Sequence, residues 1–204
     1  MNSKQISRHL CLFWLCCFGI SLACDVSAQE IQAEVEPGKK PEQTKMTLKK
    51  VQLGKTKNLH QYGNVFLAGQ FTPEDIALIK AAGVETVITL RTDGEIDWDE
   101  ASALKAAGIS FVAVPFRKPD SLTDDVFDKV RKLLKDNGDK KVMLHCGSAN
   151  RVGAVWAACR ACDQGVPAER AIQEAKQVGL RTAEYEARAK DYIQRTPDGS
   201  KHPE

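Results

Sequence analysis

The chain has 204 residues, a formal net charge of +2, 43% hydrophobic and 27% charged residues. This near-balance of charge gives no electrostatic basis for binding nucleic acid or a membrane surface, and the apolar share is enough for one domain with a real core. Seven cysteines do not form a disulfide framework here. Cys11, Cys16, Cys17 and Cys24 fall in one N-terminal segment, and the remaining Cys146, Cys159 and Cys162 are an odd number.

Residues 1–28 read as a secretory signal. Lys4 and Arg8 give a basic start, residues 10–20 are an apolar run too short to span a membrane comfortably, and Val26, Ser27 and Ala28 offer small residues for cleavage. The expectation is export to the periplasm or the extracellular space, with no membrane contact once the signal is removed. Two alternatives are a retained anchor helix and a lipid anchor on Cys24. Ser21 stands where lipoproteins usually carry Leu. Residues 29–57, rich in Lys, Glu, Gln and Pro, read as a flexible linker. Residues 58–196 read as the folded domain and 197–204 as a flexible tail.

Within the domain, Val65-Phe66-Leu67-Ala68 predicts a strand. Thr72 and Pro73 open a helix that Gly83 ends. Residues 84–90 are a second strand, rich in β-branched side chains. Asp97 opens a helix stopped by Gly108, and residues 109–114 form a third strand, halted by Pro115. Thr123 caps a helix carrying Val126, Phe127, Val130, Leu133 and Leu134, with Leu122 placed to staple onto Phe127. Residues 141–145 are a fourth strand, followed by helices over 152–164, 167–178 and 182–194. This alternation predicts an α/β domain with a mainly parallel sheet of four to five strands and helices on both faces. Ligands bind such sheets beyond the carboxyl ends of the strands, where Arg91, Arg117, the loop around Asp120 and the Cys146 loop all fall.

The chemistry concentrates in His145-Cys146-Gly147-Ser148-Ala149-Asn150-Arg151-Val152-Gly153-Ala154, between a buried strand and a helix start. Small residues let successive amides curl inward into an anion nest at the positive end of a helix dipole. The Arg151 fork can hold two oxyanion oxygens. Amides, helix terminus and guanidinium all favour thiolate over thiol at Cys146, and thiolate is the nucleophile. His145 is placed to orient the loop from below. Cys159 and Cys162 share the apolar side of a helix with Val155. They read as buried structural thiols, with a resolving cysteine for Cys146 as the alternative. No metal site is expected, because His60 and His202 lack ligand spacing, and no cofactor is implied.

The His145–Cys146 pair, the small-residue loop, Arg151 and the following helix resemble the cysteine-dependent phosphatase superfamily. Phe66-Leu67-Ala68-Gly69-Gln70-Phe71-Thr72, followed by Gly83-Val84-Glu85-Thr86-Val87-Ile88-Thr89-Leu90-Arg91, resembles its atypical dual-specificity phosphatase-like subgroup. That subgroup includes the phosphatase-like domain attached to bacterial β-lactamase-like hydrolases. The resemblance implies that Cys146 is the nucleophile, that Arg151 binds phosphate, and that the amides of Gly147, Ser148, Ala149, Asn150 and Arg151 line the cradle. It also implies a general acid in the loop after the third strand, where Asp120 is the available carboxyl. Arg91 is either a substrate contact or a structural ion pair, and Arg117 either meets an anionic substrate or sits in a solvated turn.

Three departures keep other readings open. Four residues separate Cys146 from Arg151 where ordinary members have five. Four is also the spacing of many rhodaneses and of the subgroup just named. Val152 stands where a Ser or Thr is usual, with Ser148 as a possible substitute. The alternative for Asp120 is an ordinary solvated or capping residue. The expected partner is therefore an anionic substrate: a phosphate ester, or alternatively a sulfane sulfur donor that loads Cys146 as a persulfide. A non-catalytic anion-binding module is the third reading. The oligomeric state is not legible.

Overall fold

A computed structural model of the chain describes residues 46–196. The expected signal and C-terminal tail, and the part of the expected linker before Met46, lie outside the described residues. Six strands form one sheet: β1 Lys49–Lys50, β2 His60–Tyr62, β3 Val65–Ala68, β4 Val84–Thr89, β5 Ser110–Ala113 and β6 Lys141–His145, in the order β1-β2-β3-β6-β4-β5. The segment β3, β6, β4 and β5 is parallel throughout, and β1 and β2 add an antiparallel edge. The α/β class and the mostly parallel sheet are as the alternating pattern implied. The strand count is corrected from four or five to six.

The two extra strands explain a second correction. Residues 46–57, expected as the end of a flexible linker, are built into the domain. Lys49 and Lys50 pair with Gln61 and His60. The Lys55 amide and the Thr56 hydroxyl donate to the Asp75 carboxylate at 2.8 and 3.4 Å. Lys57 exchanges backbone hydrogen bonds with Gln70 and Gly69 at 3.0 and 2.7 Å. Backbone and carboxylate partners hold this largely polar stretch, and Leu48, Val51 and Leu53 pack against the two cores.

Six α-helices cover the sheet: α1 Ile76–Ala81, α2 Glu100–Ala106, α3 Asp124–Asp136, α4 Asn150–Ala158, α5 Ala168–Val178 and α6 Ala183–Arg195. Strand alternation sorts side chains to the two faces. Leu67, Ile88, Val142 and Leu144 join one core with Phe127, Val130, Trp156, Ile172 and Tyr192 from α3, α4, α5 and α6. Phe66, Val87 and Met143 join the other with Ile76, Ile79 and Leu104 from α1 and α2. Leu122 and Phe127 are buried in the first core, as the staple requires.

Two helix boundaries differ from expectation in ways that shape the site. The second helix opens at Asp99, not Asp97. Asp99 is the cap whose carboxylate accepts from the Ser102 amide at 3.0 Å, so residues 91–98 form a loop. Helix α4 begins at Asn150, two residues earlier than expected, and Arg151 therefore lies inside its first turn. Beyond Ala158 the helix loosens into a π-turn, Cys159–Asp163, in which both cysteines are buried.

Candidate active site

Strand β6 runs between β3 and β4 and delivers Cys146 at its carboxyl end. The Cys146 amide donates to the Ala68 carbonyl at 3.2 Å, and the Gln70 amide donates to the Gly147 carbonyl at 3.2 Å, so the loop is stitched to the end of β3. Gly69 permits this approach: a Cβ there would lie 2.9 Å from the Lys57 carbonyl oxygen and 3.2 Å from the Ser148 Cα. Ala149 takes a left-handed conformation (φ 63°, ψ 3°), rare for a residue with a Cβ and typical of functional turns. The first bond of the helix runs from the Gly153 amide to the Ala149 carbonyl. The amides of Asn150, Arg151 and Val152 therefore have no acceptor within the helix and supply its positive end.

Arg151 is buried and folds back onto the loop, with its Nη2 3.8 Å from where a Gly147 Cβ would stand. Its Nη1 donates to the carbonyl oxygens of Leu90 and Phe116 at 2.9 and 2.7 Å. Glu95, in the β4–α2 loop, takes Nη1 and Nη2 in a two-pronged ion pair at 2.8 and 2.5 Å. Glu95 is itself held by the Thr92 amide and hydroxyl at 2.8 and 2.9 Å. Burial pushes the Glu95 carboxyl up, but the hydrogen bonds from Arg151 and Thr92 outweigh burial and bring it down to about 2. Burial pulls the Arg151 guanidinium down, and the Glu95 carboxylate and the nearby Cys146 sulfur more than offset it, so the net direction is up. Cys146 and Arg151, expected to meet, thus lie within electrostatic reach of each other, with the guanidinium against Gly147. No protein oxygen engages the Arg151 Nε among the described residues, which leaves Nε and one Nη2 proton for an oxyanion on the Cys146 side.

Beneath the loop lies a second charged cluster. Arg91 is buried and pairs with Glu100 of α2 at 2.5 Å, and His145 Nε2 lies 3.2 Å from the other Glu100 oxygen. Burial raises the Glu100 carboxyl, but His145 and Arg91 outweigh it and hold it below the usual carboxylate range. The ring of Phe71 covers His145 at 4.9 Å between centroids. His145 thus lies fully buried beneath the loop, between Glu100 and Phe71. Of the two places expected for Arg91, the structure shows the buried ion pair with Glu100.

The remaining expected residues form the rim. The Asn150 side chain accepts from the Arg181 and Thr182 amides at 2.8 and 3.3 Å and donates to the Thr182 hydroxyl at 2.7 Å. It fastens the start of α6, so only its amide faces the cradle role. The Ser148 hydroxyl accepts from the Arg181 guanidinium at 2.7 Å. Arg117 and Lys118 are exposed, and the Asp120 side chain is 95% exposed in a short turn, 3.5 Å from Arg188. The same loop lines a shallow cavity with Thr92, Pro115 and Phe116. A larger cavity, about 550 Å³, lies at the opposite end of the strands against Val65, Gly138 and Trp156, away from Cys146.

Three participants were not read from the sequence: Glu95, Glu100 and Tyr185. Tyr185 is buried, donates its hydroxyl to the Arg117 carbonyl at 2.6 Å, and stands within electrostatic reach of Cys146, Arg151 and Glu95. Glu95 and Tyr185 meet their partners 56 and 68 residues away, Glu100 meets Arg91 nine residues away, and none of the three carries a local motif. Glu95 had one available signal, an acidic residue in the loop directly after strand β4.

Over residues 62–163 the sequence matches the family described as the beta-lactamase hydrolase-like protein, phosphatase-like domain. No curated protein matches the chain. Among solved structures, the chain is similar to TpbA of P. aeruginosa, with 20% identity, 77% of this chain and 94% of that chain covered, and a TM-score of 0.61. A cysteine-to-serine variant of TpbA, solved in complex with phosphotyrosine, aligns at 19% identity over 78% of this chain and 94% of that one, TM-score 0.61. The active form of Tk-PTP aligns at 18% identity over 64% and 92% of the two chains, TM-score 0.57. At these identities the likeness establishes a shared fold.

Proposed function

Because the chain belongs to the family of the beta-lactamase hydrolase-like protein phosphatase-like domain, we propose that it hydrolyses phosphate monoesters through a cysteinyl-phosphate on Cys146. The observation that carries this reading is a buried Arg151 folded back onto the Cys146 loop, its Nη1 anchored while Nε stays available. A phosphate placed over the loop meets that guanidinium edge and the positive end of α4, which stabilise the charge spread over its oxygens as the sulfur attacks in line. The ester oxygen leaves with a proton from Asp120. Water then attacks phosphorus, gives its proton to Asp120, and the sulfur departs as thiolate. Glu95 is not the acid, since a carboxyl held near 2 stays ionised at neutral pH. Asp120 is supported by its place in the β5–α3 loop beside the cavity that Thr92 and Phe116 share.

The test is phosphate release from p-nitrophenyl phosphate between pH 5 and 8. Cys146→Ser is expected to abolish it, and Arg151→Lys to lower kcat/KM by about 100-fold or more, the usual loss when one transition-state donor goes. The four-residue loop leaves transfer of sulfane sulfur as the competing chemistry. A wild-type protein that releases no phosphate, yet gains one sulfur atom on Cys146 after thiosulfate, would overturn the phosphatase reading.

The proposal extends to location. Lys4, Arg8, the apolar run over 10–20 and the small residues before Gln29 support export to the periplasm or beyond, and N-terminal sequencing of the exported protein tests it.

A further inference from the structure

Nine arginines fall among the described residues, and seven of them, Arg91, Arg131, Arg151, Arg160, Arg170, Arg188 and Arg195, lie in ion pairs with carboxylates. The two without an acidic partner among those residues are Arg117 and Arg181, and both stand at the rim of the Cys146 cradle. Arg181 is exposed and fixed by hydrogen bonds to the Ser148 hydroxyl, at 2.7 Å, and to the Gly179 carbonyl, at 3.2 Å. Those contacts hold the guanidinium two residues from the nucleophile without neutralising it. Arg117 directly follows Phe116, whose carbonyl receives Arg151, and its own carbonyl is held by the Tyr185 hydroxyl. Two fixed backbones thus present two unneutralised guanidinium groups, from the β5–α3 and α5–α6 connections that frame the cradle. The other seven arginines of the described residues are paired with carboxylates, so among the planar guanidinium forks the two unspent ones are local to the site.

We propose that Arg117 and Arg181 are specificity-determining residues that select a phosphorylated peptide segment whose neighbouring residues are acidic, with phosphotyrosine the residue presented to Cys146. The inference rests on the phosphatase reading. Each guanidinium offers a planar fork suited to a carboxylate, and two forks on two separate connections suit a chain that carries acids beside its phosphate. The similar structure solved with phosphotyrosine is TpbA, and an extended peptide crossing the loop places its flanking side chains over the rim.

The experiment measures binding of fluorescent peptides to the Cys146→Ser protein, together with turnover by the wild type. One phosphotyrosine peptide carries Glu on either side and a second carries Ala in the same places. The acidic peptide is expected to bind about tenfold more tightly at low salt, an advantage that shrinks as salt rises and falls to about twofold or less in the Arg117→Gln, Arg181→Gln double variant. Equal binding of the two peptides, or an advantage that survives in the double variant, would overturn the proposal. So would tighter binding of a small alkyl bisphosphate than of the acidic peptide. Failure of the phosphatase reading is seen separately, as absence of phosphate release by the wild type from both peptides and from p-nitrophenyl phosphate.

Discussion

Glu95 fixes the direction in which Arg151 points. Its two oxygens collect both terminal nitrogens of the guanidinium and two donors from Thr92. Replacing the carboxylate by an amide keeps the shape but loses the charge-assisted pair and turns one acceptor into a donor facing Nη2. Glu95→Gln is expected to lower kcat/KM for p-nitrophenyl phosphate by roughly tenfold to 100-fold, the scale of a misdirected transition-state contact, measured by steady-state kinetics. The same variant carries a signature in stability. The folded carboxyl titrates near 2, below its ordinary 4.5. Its contribution is therefore fully present above about pH 4.5 and is lost as the pH falls through 2. Urea unfolding is expected to put Glu95→Gln about 2 kcal/mol below wild type at pH 7, with the gap closing toward pH 2. At this scale the proposed nucleophile Cys146 and its guanidinium were legible because a strand end, a cysteine, small residues and an arginine follow one another without interruption. Glu95 was not, because it meets Arg151 across 56 residues and nothing beside it in the chain announces the meeting.

At the scale of elements, α4 joins the loop to the interior. Gly153 lets it lie against α5 and the turn that follows: a Cβ there would stand 2.7 Å from the Ala175 carbonyl oxygen and 2.8 Å from the Leu180 backbone nitrogen. Both neighbours include backbone, which cannot swing aside. Gly153→Ala gains helix propensity but forces the helices apart, and overpacking of this kind costs about 1–3 kcal/mol against a propensity gain below about 1. The expected outcome is a melting temperature lower by roughly 3–8 °C in a thermal scan. Turnover should fall as well, since the first turn of α4 carries Arg151. Most elements were readable from period and punctuation, Thr123 before α3 and Pro167 before α5 among them. The boundaries that moved did so for tertiary reasons. Asn150 reaches forward to Arg181 and Thr182, which lets α4 start two residues early. Asp99 accepts the Ser102 amide, which frees residues 91–98 to carry Glu95 to the cradle.

For the whole molecule, the two cores on either side of the sheet follow from strand alternation, whereas the antiparallel edge does not. Lys49 and Lys50 are exposed and carry no apolar signal, so pairing through backbone alone escaped a reading based on side-chain period. Their segment nevertheless braces the site from behind, through Lys57 and Gly69 to the loop at Ser148. A chain that starts at residue 58 is expected to lose several hydrogen bonds, including two of those on the buried Asp75 carboxylate. Compared with a chain that starts at residue 46, it should unfold at lower denaturant, with a loss of about 2–4 kcal/mol.

The placement of β6 between two parallel neighbours has a consequence for how such a protein can change. The sulfur proposed to react hangs from the middle of the sheet, where both flanks are already occupied, while the turn at residues 117–121 and the entry to α6 lie at the surface, pinned by their own hydrogen bonds. New clientele can accordingly be acquired by rewriting the periphery, one connection at a time, while the reaction itself is inherited intact.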